Sequence, residues 1–224
     1  MRRVLLHGFT QTPAASWGAV VARLHGDAHL ADVPVAPDFT AAAAALAVGR
    51  AEYCGYSMGG RLCLQLALDQ PDVVERLVLV SASPGIADPS ERAARREADE
   101  RLAQSVEREG VRVFLERWLA QPLFATLSPD RASIDDREWH NTVESLTYQL
   151  RVLGQGAQPS NWERLGALGM PVLLIVGELD GKYVDVAHRM AAAIRDARVE
   201  VVADAGHACH LEQPDAVAHL IASW

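Results

Sequence analysis

Ala51-Glu52-Tyr53-Cys54-Gly55-Tyr56-Ser57-Met58-Gly59-Gly60-Arg61-Leu62 runs from a short apolar stretch, through a serine fenced by glycines, into a second apolar stretch. The residues before Gly55 read as a strand and those from 58 to 69 as a helix, so the G-x-S-x-G pattern falls on a strand-to-helix turn. That context separates it from a chance match of the same letters. Glycine has no Cβ, which lets such a turn bend sharply and hold a serine in a strained conformation with its oxygen exposed. Gly60 adds room. The plain alternative is a structural strand-helix turn with no chemistry.

Outward from this turn, short apolar runs alternate with helix-length segments. Val4–Leu6, Val33–Val35, Leu77–Val80, Val172–Val176 and Val199–Val202 are the further strand candidates, and helices are expected near 16–25, 39–48, 184–195 and 213–223. This alternation is how βαβ units appear in a sequence, so the expectation is a mostly parallel sheet flanked by helices. From about residue 85 to 160 the rhythm stops. Ser90-Glu91-Arg92 opens a charged helical segment, and further helical patterns follow without a strand. The segment enters directly after the strand that follows the Gly-Tyr-Ser turn, where it can overhang that turn. It is therefore read as a helical lid, 85–160, on a core formed by 1–84 and 161–224, together one domain; a solvated decoration is the alternative.

The 224 residues suffice for one domain with its own core. Half are hydrophobic and 22% charged, which excludes a disordered or fibrous chain. A net charge of -8 argues against general affinity for nucleic acid or anionic membrane. No apolar run is long enough for a membrane span, and Met1–Leu6 reaches His7 too soon for a signal-peptide core. A cytoplasmic location is expected. Cys54, Cys63 and Cys209 are odd in number and lack metal-type spacing, so reduced thiols in or near the core are expected, with no metal.

A serine hydroxyl needs an imidazole within hydrogen-bond reach and a carboxylate that fixes the imidazole's tautomer. Gly177-Glu178-Leu179-Asp180 follows the most apolar strand, which puts Asp180 at the carboxyl edge of the sheet, where open α/β sheets place their sites. Asp180 is the preferred acid; Glu178 and Asp185 compete. Ala205-Gly206-His207 follows the last strand candidate, making His207 the preferred base and His210 its rival. Developing negative charge must meet preorganised donors. His7-Gly8-Phe9 after the first strand supplies one, so the backbone amides of Phe9 and Met58 are read as an oxyanion hole and the His7 side chain as structural. Ser57, Asp180 and His207 in that order, on these elements, specify an α/β-hydrolase fold.

Three longer stretches carry a more specific likeness. They are Gly55-Tyr56-Ser57-Met58-Gly59-Gly60-Arg61, Gly177-Glu178-Leu179-Asp180-Gly181-Lys182-Tyr183 and Ala205-Gly206-His207-Ala208-Cys209-His210-Leu211-Glu212-Gln213-Pro214. With Glu91–Arg95, Trp118–Phe124 and Gly156–Pro159, they resemble the 2-succinyl-6-hydroxy-2,4-cyclohexadiene-1-carboxylate synthases (MenH) of menaquinone biosynthesis. The resemblance implies a lyase rather than a hydrolase: the serine removes a substrate proton and pyruvate is eliminated, without metal or organic cofactor. It also implies a small, polycarboxylate substrate held by Arg61 and Arg95, with Trp118 lining the pocket. Guanidinium forks suit that task in an acidic protein.

Three departures from the family pattern are visible. The sequence starts close to the His-Gly strand, so no antiparallel strands are expected ahead of it. Ala36-Pro37-Asp38-Phe39 continues into Thr40 and an alanine run in place of the usual proline-glycine-histidine-glycine. Where a further lid arginine is expected before an asparagine, His140 precedes Asn141, which would make the pocket less cationic. The competing readings are a carboxylesterase or acyl hydrolase working through an acyl-Ser57 intermediate, and a non-catalytic binding protein of the same fold.

Overall fold

The computed structural model describes residues 2–224. Six strands, β1 (Arg2–Leu6), β2 (Asp27–Ala31), β3 (Ala51–Tyr56), β4 (Val74–Val80), β5 (Val172–Gly177) and β6 (Ala197–Val202), form one sheet in the order β2-β1-β3-β4-β5-β6. Every neighbouring pair is parallel. Connections from β1 run one way to β2 and those from β3 run the other way, so the strand order reverses between β1 and β3. Their carboxyl ends flank the crevice where such sheets bind ligands.

Helices α1 (Pro13–Val21), α2 (Phe39–Ala45), α3 (Met58–Asp69), α8 (Gly181–Ala193), α9 (Cys209–Glu212) and α10 (Pro214–Ser223) cover the two faces of the sheet. Strand side chains alternate between two clusters: Val4, Leu6, Tyr53, Leu77 and Leu79 pack against α2, α3 and α8, whereas Leu5, Cys54, Val78 and Val80 pack against α1, α9 and α10. Strand β5 is buried along its whole length, as burial on both faces requires.

Between β4 and β5 the described residues hold no strand. They form α4 (Pro89–Leu119), α5 (Pro129–Ala132), α6 (Ile134–His140) and α7 (Val143–Leu153). Helix α4 is broken at Gly110, whose φ is 80°. The insertion has its own small core of Val106, Phe114, Leu115, Leu146 and Leu150, and Phe9 from the sheet edge packs against both this cluster and the main one.

The expected strand at Val33–Val35 is absent. The strand is Asp27–Ala31, and Val35 is 86% exposed. Pro34 and Pro37 cannot donate to a ladder, while Asp27-Ala28-His29-Leu30-Ala31 is an edge strand whose polar alternation hides it from a search for apolar runs. Helix α1 begins three residues before the expected start because Thr12 caps it, accepting from the Ala15 amide, with Pro13 at the first helical position. Helix α8 likewise starts at Gly181, capped by Asp180.

Candidate active site

Ser57 stands between β3 and α3 with φ 49° and ψ -108°, outside the regions an L-residue ordinarily occupies. The Ser57 amide donates to the Val80 carbonyl (2.8 Å) and the Ser57 carbonyl accepts from the Arg61 amide (3.0 Å), so the strained residue is held from both sides. Its neighbours have no room for a side chain. A Cβ on Gly59 would lie 2.4 Å from the Leu6 carbonyl oxygen, and one on Gly55 would lie 2.4 Å from the Gly60 nitrogen. The glycines are there because β1 and the start of α3 approach backbone to backbone.

His207 meets Ser57. Its Nε2 lies 3.1 Å from Ser57 Oγ and its Nδ1 lies 2.7 Å from Asp180 Oδ2. An ionised carboxylate only accepts, so the Nδ1–H donates to Asp180, and Nε2 presents its lone pair to the serine hydroxyl. Asp180 also accepts from the Tyr183 amide (3.4 Å) as the cap of α8, so its orientation is set by the start of a helix. The arrangement can pass a proton from the serine oxygen to the imidazole and stabilise the resulting imidazolium.

The rivals lie elsewhere. Glu178 is exposed and accepts from the Asp204 amide, and Asp185 is exposed on α8. His210 is fully buried beside Trp17 and Tyr56, with its Nε2 3.1 Å from Ser16 Oγ. Burial, with the neighbouring His207 and Arg137, pushes its pKa down to about 3, so it stays neutral. The three cysteines are free and buried, and burial lifts Cys63 and Cys209 to about 12. Thiols held that high are unreactive.

Phe9 and Met58 line the same cavity as Ser57, and their amides have no protein acceptor among the described residues. A cavity of about 310 Å³ opens over Ser57 and His207, reaching under the inserted helices. Phe9, Leu102, Trp118, Leu123, Phe124 and Leu150 form its apolar wall. Phe9 meets Trp118 edge to face, with ring centroids 5.0 Å apart. Arg61 and Arg95 line the cavity as expected, and so do Arg137 and Lys182. Among the described residues the only carboxylate in its lining is Asp99, which is paired with Arg95 at 2.7 Å.

Each arginine is held by protein partners on one side. Arg61 donates to the Gln158 side chain (3.2 Å) and the Leu153 carbonyl (2.8 Å), and burial lowers its pKa to about 10, still a cation at neutral pH. Arg95 donates to Asp99 and to Gln155 Oε1 (3.0 Å). Arg137 donates to the Ala132 carbonyl (2.6 Å) and the Thr10 hydroxyl. The remaining N–H groups of each fork have no protein partner among the described residues.

His140 is not at this cavity. It faces a separate surface depression with His7 and Asp32, its Nδ1–H donating to the Asp136 carbonyl (2.8 Å). Arg137, three residues earlier and one turn back on α6, does line the cavity. The Asn141 side chain donates to the Arg137 carbonyl. Gln155 and Tyr183, also in the site, went unmarked because their roles are set by contacts across the fold. Among the described residues no cluster of His, Cys, Asp or Glu is placed to hold a metal ion.

Known proteins share this fold. Residues 4–220 match the model of the alpha/beta hydrolase family. The chain belongs to that family. It is 37% identical over 173 residues to a Bacillus subtilis (strain 168) protein provisionally named 2-succinyl-6-hydroxy-2,4-cyclohexadiene-1-carboxylate synthase, an alignment covering 75% of this chain and 63% of that protein. It is 32% identical over 169 residues to the Salmonella heidelberg (strain SL476) synthase of that name, covering 75% and 65%. The chain therefore matches somewhat less than two thirds of the length of these relatives. Among solved structures, MenH from S. aureus superposes with a TM-score of 0.90 at 24% identity, over 99% of this chain and 92% of that one. The likeness of the sequence to MenH proteins is thus matched by the fold. No helix among the described residues is long and apolar enough to cross a membrane.

Proposed function

We propose that this chain is a MenH-like lyase that eliminates pyruvate from a polycarboxylate menaquinone intermediate, with Ser57, His207 and Asp180 as its proton relay. The observation that carries the reading is the concentration of Arg61, Arg95, Arg137 and Lys182 around one cavity over Ser57, in a chain whose net charge is -8. Such a pocket concentrates positive charge where the rest of the protein repels anions. It suits a ligand with several carboxylates.

In the reaction, Ser57 Oγ takes a proton from a substrate carbon as its own proton passes to His207 Nε2. The electron pair of the broken C–H bond forms a new ring double bond, and the C–O bond to the pyruvate portion breaks. Pyruvate departs as its enolate and recovers a proton. Asp180 holds the imidazolium, and the Phe9 and Met58 amides stabilise the oxyanion. The inserted helices act as a lid that excludes water from the cavity. The three buried thiols suit a reducing compartment, consistent with the cytoplasm.

A carboxylesterase reading, with Ser57 forming an acyl-enzyme, has one observation in its favour: the apolar wall from Phe9 to Leu150 would also accept an acyl chain. The two are separated by offering the purified protein the menaquinone intermediate and short nitrophenyl esters side by side, following pyruvate and nitrophenol. Pyruvate release is expected, reduced at least about 10⁴-fold in Ser57→Ala. Nitrophenol without pyruvate would replace the lyase by the esterase.

A further inference from the structure

The hydrogen bonds beside His207 fix the direction in which one hydroxyl proton must point. Arg95 Nη1 lies 3.0 Å from Gln155 Oε1, and a guanidinium only donates, so the carbonyl end of Gln155 faces Arg95. The amide nitrogen of Gln155 therefore faces Tyr183 Oη, at 3.2 Å, and donates to it. The phenol is the acceptor in that bond, which leaves its own proton to be given elsewhere. Among the described residues it has no second partner. The chain of contacts is anchored at its far end, because buried Asp99 holds Arg95 Nε with one oxygen (2.7 Å) and the Gly156 amide with the other (3.0 Å).

Tyr183 lines the cavity with its ring 4.6 Å from that of His207, in the company of Arg61 and Arg95. Nothing in the proton relay requires a phenol here. We propose that Tyr183 is a specificity-determining residue whose O–H donates to a substrate carboxylate, completing with Arg61 and Arg95 a three-donor anion subsite drawn from α3, α4 and α8. Burial holds the phenol above its ordinary pKa, although the neighbouring Arg61 opposes this, so it keeps the proton it donates. The inference rests on reading the cavity as a carboxylate site, and it adds a neutral donor that tells a carboxylate's position from mere negative charge.

The test is Tyr183→Phe, which keeps the ring against His207 and removes only the hydroxyl; a melting curve matching the wild type shows that the fold is kept. Succinate, a small dicarboxylate, is titrated into both proteins by calorimetry and by near-ultraviolet difference spectroscopy, since a phenol donating to a carboxylate shifts its own absorption. The expected result is succinate binding about 10-fold weaker in the variant, the size of a hydrogen bond to a charged group, together with loss of the difference band. Equal affinity and an unchanged band would overturn the role of Tyr183 while leaving the lyase reading intact. Binding through Tyr183 without pyruvate release from the menaquinone intermediate would overturn the lyase and keep the subsite. A wild-type protein that binds no dicarboxylate would overturn both.

Discussion

The serine turn and the helical insertion face each other across one cavity and are built on opposite principles. Around Ser57 the chain is held by backbone against backbone: β1, β3 and the start of α3 approach so closely that Gly55 and Gly59 cannot carry a Cβ. In the insertion, long side chains do the holding, with Arg95 on Asp99, Arg96 on the Gly156 carbonyl and Arg137 on Thr10 and Ala132. Backbone contacts fix a geometry that tolerates little adjustment. Long charged side chains leave donors free and can be exchanged one at a time. The proposed proton relay therefore sits on the rigid half, and the groups that would choose a ligand are divided, with Arg61, Lys182 and Tyr183 on the core and Arg95, Trp118 and Arg137 on the half that can vary.

The strongest way to break this contrast is one substitution made in both halves. Gly59→Ala puts a Cβ 2.4 Å from a main-chain oxygen, and is expected to destabilise by about 3 kcal/mol or more. In the insertion Gly110 has a φ of 80° and a ψ of 171°, a conformation that essentially only glycine adopts, but a methyl group there would meet nothing within 4 Å, so Gly110→Ala is expected to cost about 1–3 kcal/mol, from backbone strain alone. Chemical denaturation of both variants measures the difference; equal losses would contradict the contrast.

Next in size is Arg137→Met, which removes a cation from the cavity at roughly constant length. Dicarboxylate binding is expected to weaken about 10- to 100-fold, the range for a charge-assisted hydrogen bond, as read by calorimetry. An unchanged affinity would place Arg137 outside the ligand's reach.

The effect that is smallest per step, counted over one pH unit, concerns His210, on the rigid side. Its folded pKa, about 3, lies below the ordinary value, so between about pH 6.5 and 3 the unfolded chain takes up a proton that the folded one refuses. Stability should fall on acidification through that window by up to about 1.4 kcal/mol per pH unit from this one group. Denaturation of the wild type and of His210→Phe across the window checks it. The variant should show a shallower slope, and an identical slope would assign the acid sensitivity to other groups.

Much of the rigid half could be read from the sequence. The apolar runs at β1, β3, β4 and β5 mark strands buried on both faces, and Ser57, Asp180 and His207 each follow such a run or its neighbour, so their common edge follows from chain order. Strand β2 escaped because an edge strand mixes Asp27 and His29 with its apolar residues. The cavity-lining position of Arg137 was not legible because a helix presents only one residue in three or four to a given surface, and the sequence does not say which. The direction of the Tyr183–Gln155–Arg95 chain has no sequence signature at all, since it depends on which end of an amide meets a group that can only donate.

Phe9 joins the two halves in a single residue. Its amide is the one proposed above as an oxyanion donor, while its ring lies among Phe114 and Trp118 of the insertion. If those helices swing outward, the ring loses its seat and the loop bearing the amide loses its brace. On that proposal, opening the mouth would also loosen the oxygen-binding donor, an interlock that would confine the reactive state to a closed, occupied chamber.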